Sequence, residues 1–72
     1  MEKGSLVRLK APRHKLTLED EWYCNHWHNM TPMIYVGPMS ETNRMFSDVM
    51  VPEEGIHRVL HEYLTTHMRR GK

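Results

Sequence analysis

Val51-Pro52-Glu53-Glu54-Gly55-Ile56-His57-Arg58-Val59-Leu60-His61-Glu62-Tyr63-Leu64 is the stretch on which the fold turns. Ile56, Val59, Leu60, Tyr63, Leu64 and Met68 recur at helical spacing, with Pro52, Glu53 and Glu54 ahead of them and Arg69 and Arg70 behind. That charge order suits a helix dipole. Against a helix, Gly55 stands where the first turn has to nucleate, and Val51 has no side chain able to cap it. On periodicity alone residues 53–68 form a helix, packed on a hairpin or a three-stranded sheet; the glycine and the missing cap oppose that.

Upstream the pattern favours strands. Arg44-Met45-Phe46-Ser47-Asp48-Val49-Met50-Val51 is a strand stopped by Pro52, and Pro32-Met33-Ile34-Tyr35-Val36-Gly37 is another, stopped by Gly37-Pro38. Between them Ser40-Glu41-Thr42-Asn43 reads as a turn, so the pair makes a hairpin. Gly4 to Lys10 is a further strand, Leu6, Arg8 and Lys10 alternating with Val7 and Leu9 before Ala11-Pro12 ends it. Residues 11–32 read as a long irregular loop. Within it Thr17 followed by Leu18, Glu19, Asp20 and Glu21 resembles a helix start, with a capping hydroxyl and acids in the first turn.

Seventy-two residues make one domain with a thin core, burying only about 60% of the surface the unfolded chain exposes. Residues 69–72 read as a tail. Cys24 is the sole cysteine, so no internal disulfide forms, and a reducing cytoplasm is the expected setting, a host's if the gene is a phage's. Met1-Glu2-Lys3-Gly4 lacks the apolar run of a signal peptide, and no stretch has the ~20 apolar residues of a membrane span. Charge is distributed in blocks. Residues 1–18 hold five cations against Glu2, residues 19–54 hold seven acids against Arg44, and residues 55–72 hold four cations against Glu62. Such blocks steer association with a polar partner if the basic ends meet in space.

Four segments together resemble small SH3-like barrels of phage and bacterial type. Gly4-Ser5-Leu6-Val7-Arg8-Leu9-Lys10 is similar to their first strand and Met33-Ile34-Tyr35-Val36-Gly37 to their second. Phe46 to Pro52 followed by Glu54-Gly55-Ile56 resembles the third strand and its hairpin turn, and His61-Glu62-Tyr63-Leu64 the short helical turn before the last strand. The chain departs from that plan in its long first loop, residues 11–32, and in lacking the interior glycine of the elongation-factor and ribosomal versions. The resemblance implies a mainly β interaction module. In size and style it is similar to phage regulators that bind host RNA polymerase.

No constellation here reads as catalytic. Ser40, Ser47 and Cys24 have no base tied to them by spacing, there is no glycine-rich phosphate loop, and so small a chain has little room for a buried pocket. If residues 22–29 are extended, Cys24, His26 and His28 share a face and form a zinc candidate. Cys-x-His-x-His is not a standard zinc spacing, however, and no cofactor is expected.

Binding is the better reading. Trp22, Tyr23 and Trp27 form an aromatic cluster directly after the basic residues Arg8, Lys10, Arg13, His14 and Lys15. Aromatic and arginine side chains are the usual interface hot spots. Glu19, Asp20 and Glu21 in the same segment would repel phosphate, which favours a protein surface over nucleic acid. The expectation is therefore a monomeric, non-enzymatic regulator that binds RNA polymerase or its associated transcription machinery. A nucleic-acid-binding module and a zinc-stabilised interaction domain are the alternatives.

Overall fold

The computed structural model describes residues 1–66; Met68 and the expected tail at 69–72 lie outside the described residues. The chain forms β1 (Leu6–Leu9), α1 (Lys15–Leu18), α2 (Glu21–His28), β2 (Met33–Pro38), β3 (Phe46–Val51), β4 (Gly55–Leu60), a 3-10 turn at His61–Tyr63, and β5 (Leu64–Thr65). The strands make one antiparallel sheet in the order β4-β3-β2-β1-β5. It is open, with β4 and β5 at its two edges.

The helix expected over 53–68 is corrected to a strand over its first half. Gly55 to Leu60 pairs residue for residue with β3, from Val51↔Gly55 to Phe46↔Leu60. The turn between them explains why. The Glu54 amide donates to the Val51 carbonyl at 3.0 Å. Pro52 sets the first turn position, and Glu53 takes the left-handed conformation at φ 67. Gly55 follows at φ 91, a value at which a side chain would be strained. The glycine that opposes helix nucleation is the residue that lets the hairpin close.

Alternation then sorts the sheet into two faces. Val7, Leu9, Met33, Tyr35, Val49 and Val51 point to one side and are buried, joined by Tyr23 and Leu64. Trp22, Trp27, Val59 and Tyr63 pack against this core. Ser47 is fully buried on the same side, and its hydroxyl lies 2.7 Å from His61 Nδ1. That pairing supplies the hydrogen bond a buried hydroxyl requires.

Residues 11–32, read from sequence as an irregular loop, hold two helices. Thr17 does not start the main one. Its hydroxyl donates to the His14 carbonyl at 2.9 Å and accepts from the His14 amide at 3.2 Å, closing the single turn of α1. Asp20 caps α2 instead, its carboxylate accepting from the Tyr23 amide at 3.2 Å. At the other end Met30 takes φ 54, with Met30 and Thr31 amides donating to the Trp27 and His26 carbonyls. This is the Schellman ending, built on methionine where glycine is the usual residue.

Candidate partner-binding groove

Side chains four apart share a helix face, so α2 presents two aromatic faces. Trp22 and His26 lie on one, Tyr23 and Trp27 on the other. The Trp22 face closes against the β3–β4 hairpin. Trp22 Nε1 donates to Glu54 Oε1 at 2.8 Å, His26 Nε2 stands 3.0 Å from Oε2, and His57 Nε2 stands 3.1 Å from Oε1. The Trp22 ring stacks on His57 at 4.9 Å and meets His26 edge-on at 4.8 Å. These donors, Trp22 foremost and the two histidines after it, hold the Glu54 carboxyl below its ordinary value. Trp22 is thus engaged in fastening helix to hairpin.

The Tyr23 face does the opposite job and opens a groove. Tyr23 is buried and donates its hydroxyl to the Lys10 carbonyl at 2.8 Å, while its ring meets Tyr63 edge-on at 5.3 Å. Burial foremost, with Tyr63 and Cys24 adding to it, pushes the Tyr23 phenol up to about 12. Above this pair lies a groove of about 600 Å³ between the β1–β5 end of the sheet and the helices. Arg8, Lys10, Arg13 and His14 line it, with Leu9, Ala11, Trp27, Met30 and Tyr63 supplying apolar carbon. Glu62 is the one acid among its lining residues.

Six of the eight residues expected from sequence to bind a partner therefore meet in one place: Arg8, Lys10, Arg13, His14, Tyr23 and Trp27. Trp22 does not, being held on Glu54, and Lys15 is exposed on α1 outside the groove lining. Nothing in the sequence pointed to Glu62, Tyr63, Thr65 or Met30 as lining residues. They arrive through the 3-10 turn, the short β5 and the Schellman ending.

Although Glu62 lines the groove, no ion pair among the described residues holds its cations. Among the described residues the ion pairs are His26–Glu54, His57–Glu54 and Arg58–Asp48, none of which involves Arg8, Lys10 or Arg13. The Arg8 guanidinium reaches the Met30 sulfur at 3.8 Å, and its Nε is buried without a hydrogen-bond partner. The acids expected to repel phosphate stand elsewhere. Glu19, Asp20 and Glu21 sit at the α1–α2 junction, Asp20 engaged as the cap, and none lines the groove.

The zinc candidates Cys24, His26 and His28 lie on the same helix. All three would share a face in an extended chain; in helix α2 Cys24 and His28, four apart, share one and His26 lies on another. The Cys24 thiol points at the Thr17 and Leu18 carbonyls, 3.3 and 3.5 Å away, tying α2 to α1, while His26 turns to Thr31 and Glu54. Among the described residues no group of three or more His, Cys, Asp or Glu side chains is placed to hold a metal ion. Nor is any described helix long and apolar enough to cross a membrane.

No protein-family model, curated protein or solved structure matches this chain.

Proposed function

We propose that the protein is a non-enzymatic binding module whose basic groove captures an acidic, partly apolar segment of a protein partner. The carrying observation is the convergence of Arg8, Lys10, Arg13 and His14 on one groove with a single acid in its lining. A concave site with apolar walls and unneutralised cations favours a carboxylate-bearing segment that also inserts apolar side chains. The fully buried Ser47 hydroxyl is out of reach of any substrate, which supports binding over Ser–His chemistry. We read the fold as an open SH3-like meander; the strand order and the 3-10 turn before the last strand support that reading. The partner we put forward is bacterial RNA polymerase or its transcription factors, met in the cytoplasm. The size and style of the chain are what suggest it.

A second reading has its own observation. The acids that argued against phosphate lie outside the groove, so single-stranded nucleic acid, held by phosphate contacts beside Trp27, is the competitor. Capture from bacterial lysate, run with and without nuclease treatment, on immobilised wild type, Arg13→Glu and Trp27→Ala separates the two. The expected result is retention of polymerase subunits by wild type, weakened about tenfold by Arg13→Glu, where a rim charge is reversed. Retention of nucleic acid alone, released steeply by salt, gives the site to the second reading. Retention that neither substitution weakens removes the groove from the account.

A further inference from the structure

Arg58 and Arg8 both stand on strands of the sheet, and the fold treats their guanidinium groups differently. Arg58 on β4 turns its Nε edge to the Asp48 carboxylate across the strand pair, Nε donating to Oδ1 at 2.8 Å and Nη2 to Oδ2 at 3.4 Å. That is the side-on, two-point grip by which a planar fork holds a planar carboxylate. Arg8 on β1 has no such acceptor. It is half-buried, its strand neighbours Val7 and Leu9 are buried, and it pairs with Thr65 of β5. Its Nη1 reaches the Met30 sulfur at 3.8 Å, and a thioether is a weak acceptor. Its Nε is shut off from water and has no hydrogen-bond partner. Burying a charged donor without an acceptor is costly, and here the donor belongs to a residue that lines the groove.

We infer that Arg8 is the residue that reads the groove's occupant. A side-chain carboxylate of the bound segment takes the Nε edge of its guanidinium side-on, as Asp48 takes that of Arg58, and the Met30 thioether gives way to admit it. The inference rests on the reading of the groove as a site for an acidic segment, and it names the group that discriminates there. Met30 is suited to yield. Its side chain is unbranched and 40% exposed, it lines the groove, and it stands outside the buried core. The enclosure of Nε favours a flat two-oxygen group over a tetrahedral phosphate. Charge agrees with such an occupant. Apart from His14, Arg8, Lys10 and Arg13 against Glu62 leave a surplus of two positive charges in the lining. A segment with two carboxylates, one of them on Arg8, neutralises it.

The Arg8 Nε–H signal in a proton–nitrogen spectrum of the full chain tests this. The probe is acetyl-Leu-Glu-Leu-Glu amide, added to about 5 mM, enough to fill most of a millimolar site. The expected result is a downfield shift of the Arg8 Nε–H that saturates with peptide. The Met30 methyl signal, identified by its loss in Met30→Leu, moves with it. Arg8→Lys keeps the charge but loses the fork, and it weakens the peptide about tenfold. If circular dichroism shows that this variant does not fold, the wild-type signals decide alone. The inference is overturned, and the groove reading kept, if the peptide shifts the Trp27 indole and the Leu9 amide but leaves the Arg8 Nε–H in place. It is equally overturned if a folded Arg8→Lys binds as wild type does, or if inorganic phosphate moves the Arg8 signal at lower concentration than the peptide. No shift anywhere at the highest concentration overturns both readings. A peptide held on Arg8, beside lysate capture that no groove substitution weakens, keeps the inference and removes the polymerase as the occupant.

Discussion

Removing one oxygen atom, by Tyr23→Phe, tests how β1 is fastened to α2. The Tyr23 hydroxyl donates to the Lys10 carbonyl at 2.8 Å from a side chain only 3% exposed. Phenylalanine retains the ring that meets Tyr63 edge-on but leaves that carbonyl without the donor. Losing a buried hydrogen bond while its acceptor stays in place costs about 1 to 1.5 kcal/mol. In a domain of this size each kcal/mol moves the melting temperature by roughly 4–8 °C, so Tyr23→Phe should melt about 5–10 °C below wild type. Urea unfolding should show a midpoint lowered by about 1 M at unchanged slope, since no more surface is exposed.

The same hydroxyl gives a second readout. Its folded-state pKa is raised from 10.0 to about 12, so the unfolded chain releases this proton first. The contribution is whole below pH 10 and disappears as pH rises from 10 to about 12. Tyr23→Phe should remove that part of the alkaline loss. An unchanged melting temperature, or an alkaline profile identical in both proteins, would refute the assignment of Tyr23 as the tie between strand and helix.

Two further outcomes follow from the backbone and from the Glu54 cluster. Met30→Gly should raise stability by about 0.5 to 1 kcal/mol in urea titrations. Glycine removes a left-handed strain of ~1–2 kcal/mol and returns part of it as unfolded-state entropy; a loss of stability would show that the Met30–Arg8 contact outweighs the strain. Glu54→Gln should flatten the acid limb of the stability curve. With its folded pKa lowered by Trp22, His26 and His57, Glu54 stabilises above the unfolded carboxylate range near pH 4 and ceases to as pH falls through the folded value. Melting curves from pH 7 to 3 read this directly, and parallel curves for the two proteins would count against the cluster.

Much of the sheet is legible in the residues. Alternation marks β1, β2 and β3 because one face of each is buried and the other is not. β4 is hidden for a physical reason. Ile56 faces water, Val59 faces the core, Tyr63 belongs to the 3-10 turn and Leu64 to β5. Residues from three elements happen to fall at a 3.6 spacing, and only pairing with β3, a non-local interaction, selects the strand. Helix α2 is hidden for the converse reason. Trp, Tyr, Cys, Asn and His are indifferent helix formers, so the segment reads as irregular. Its order comes from the Asp20 cap and from tertiary contacts of Tyr23 and Trp22, each four residues from a partner on its own face. That four-residue spacing was the available signal. With it, the groove's basic and aromatic members would have been separable from Trp22 in advance.

The four residues of β1 serve two neighbours in succession. Leu6 and Val7 pair with β2, whereas Arg8 and Leu9 pair with β5. One wall of the groove is thus held by a ladder two residues long, helped by the Lys10 amide on the Tyr63 carbonyl at 2.8 Å. So short a ladder opens at far lower free energy than the six-residue pairing of β3 with β4. Amide protons at Lys10 and Thr65 should accordingly exchange with solvent well before those of Val49. The groove then has one wall that breathes, and an occupant gripping Arg8 from one side and Tyr63 from the other would slow that breathing. Occupancy can thus be read in exchange rates at the edge of the sheet without any change in the average shape.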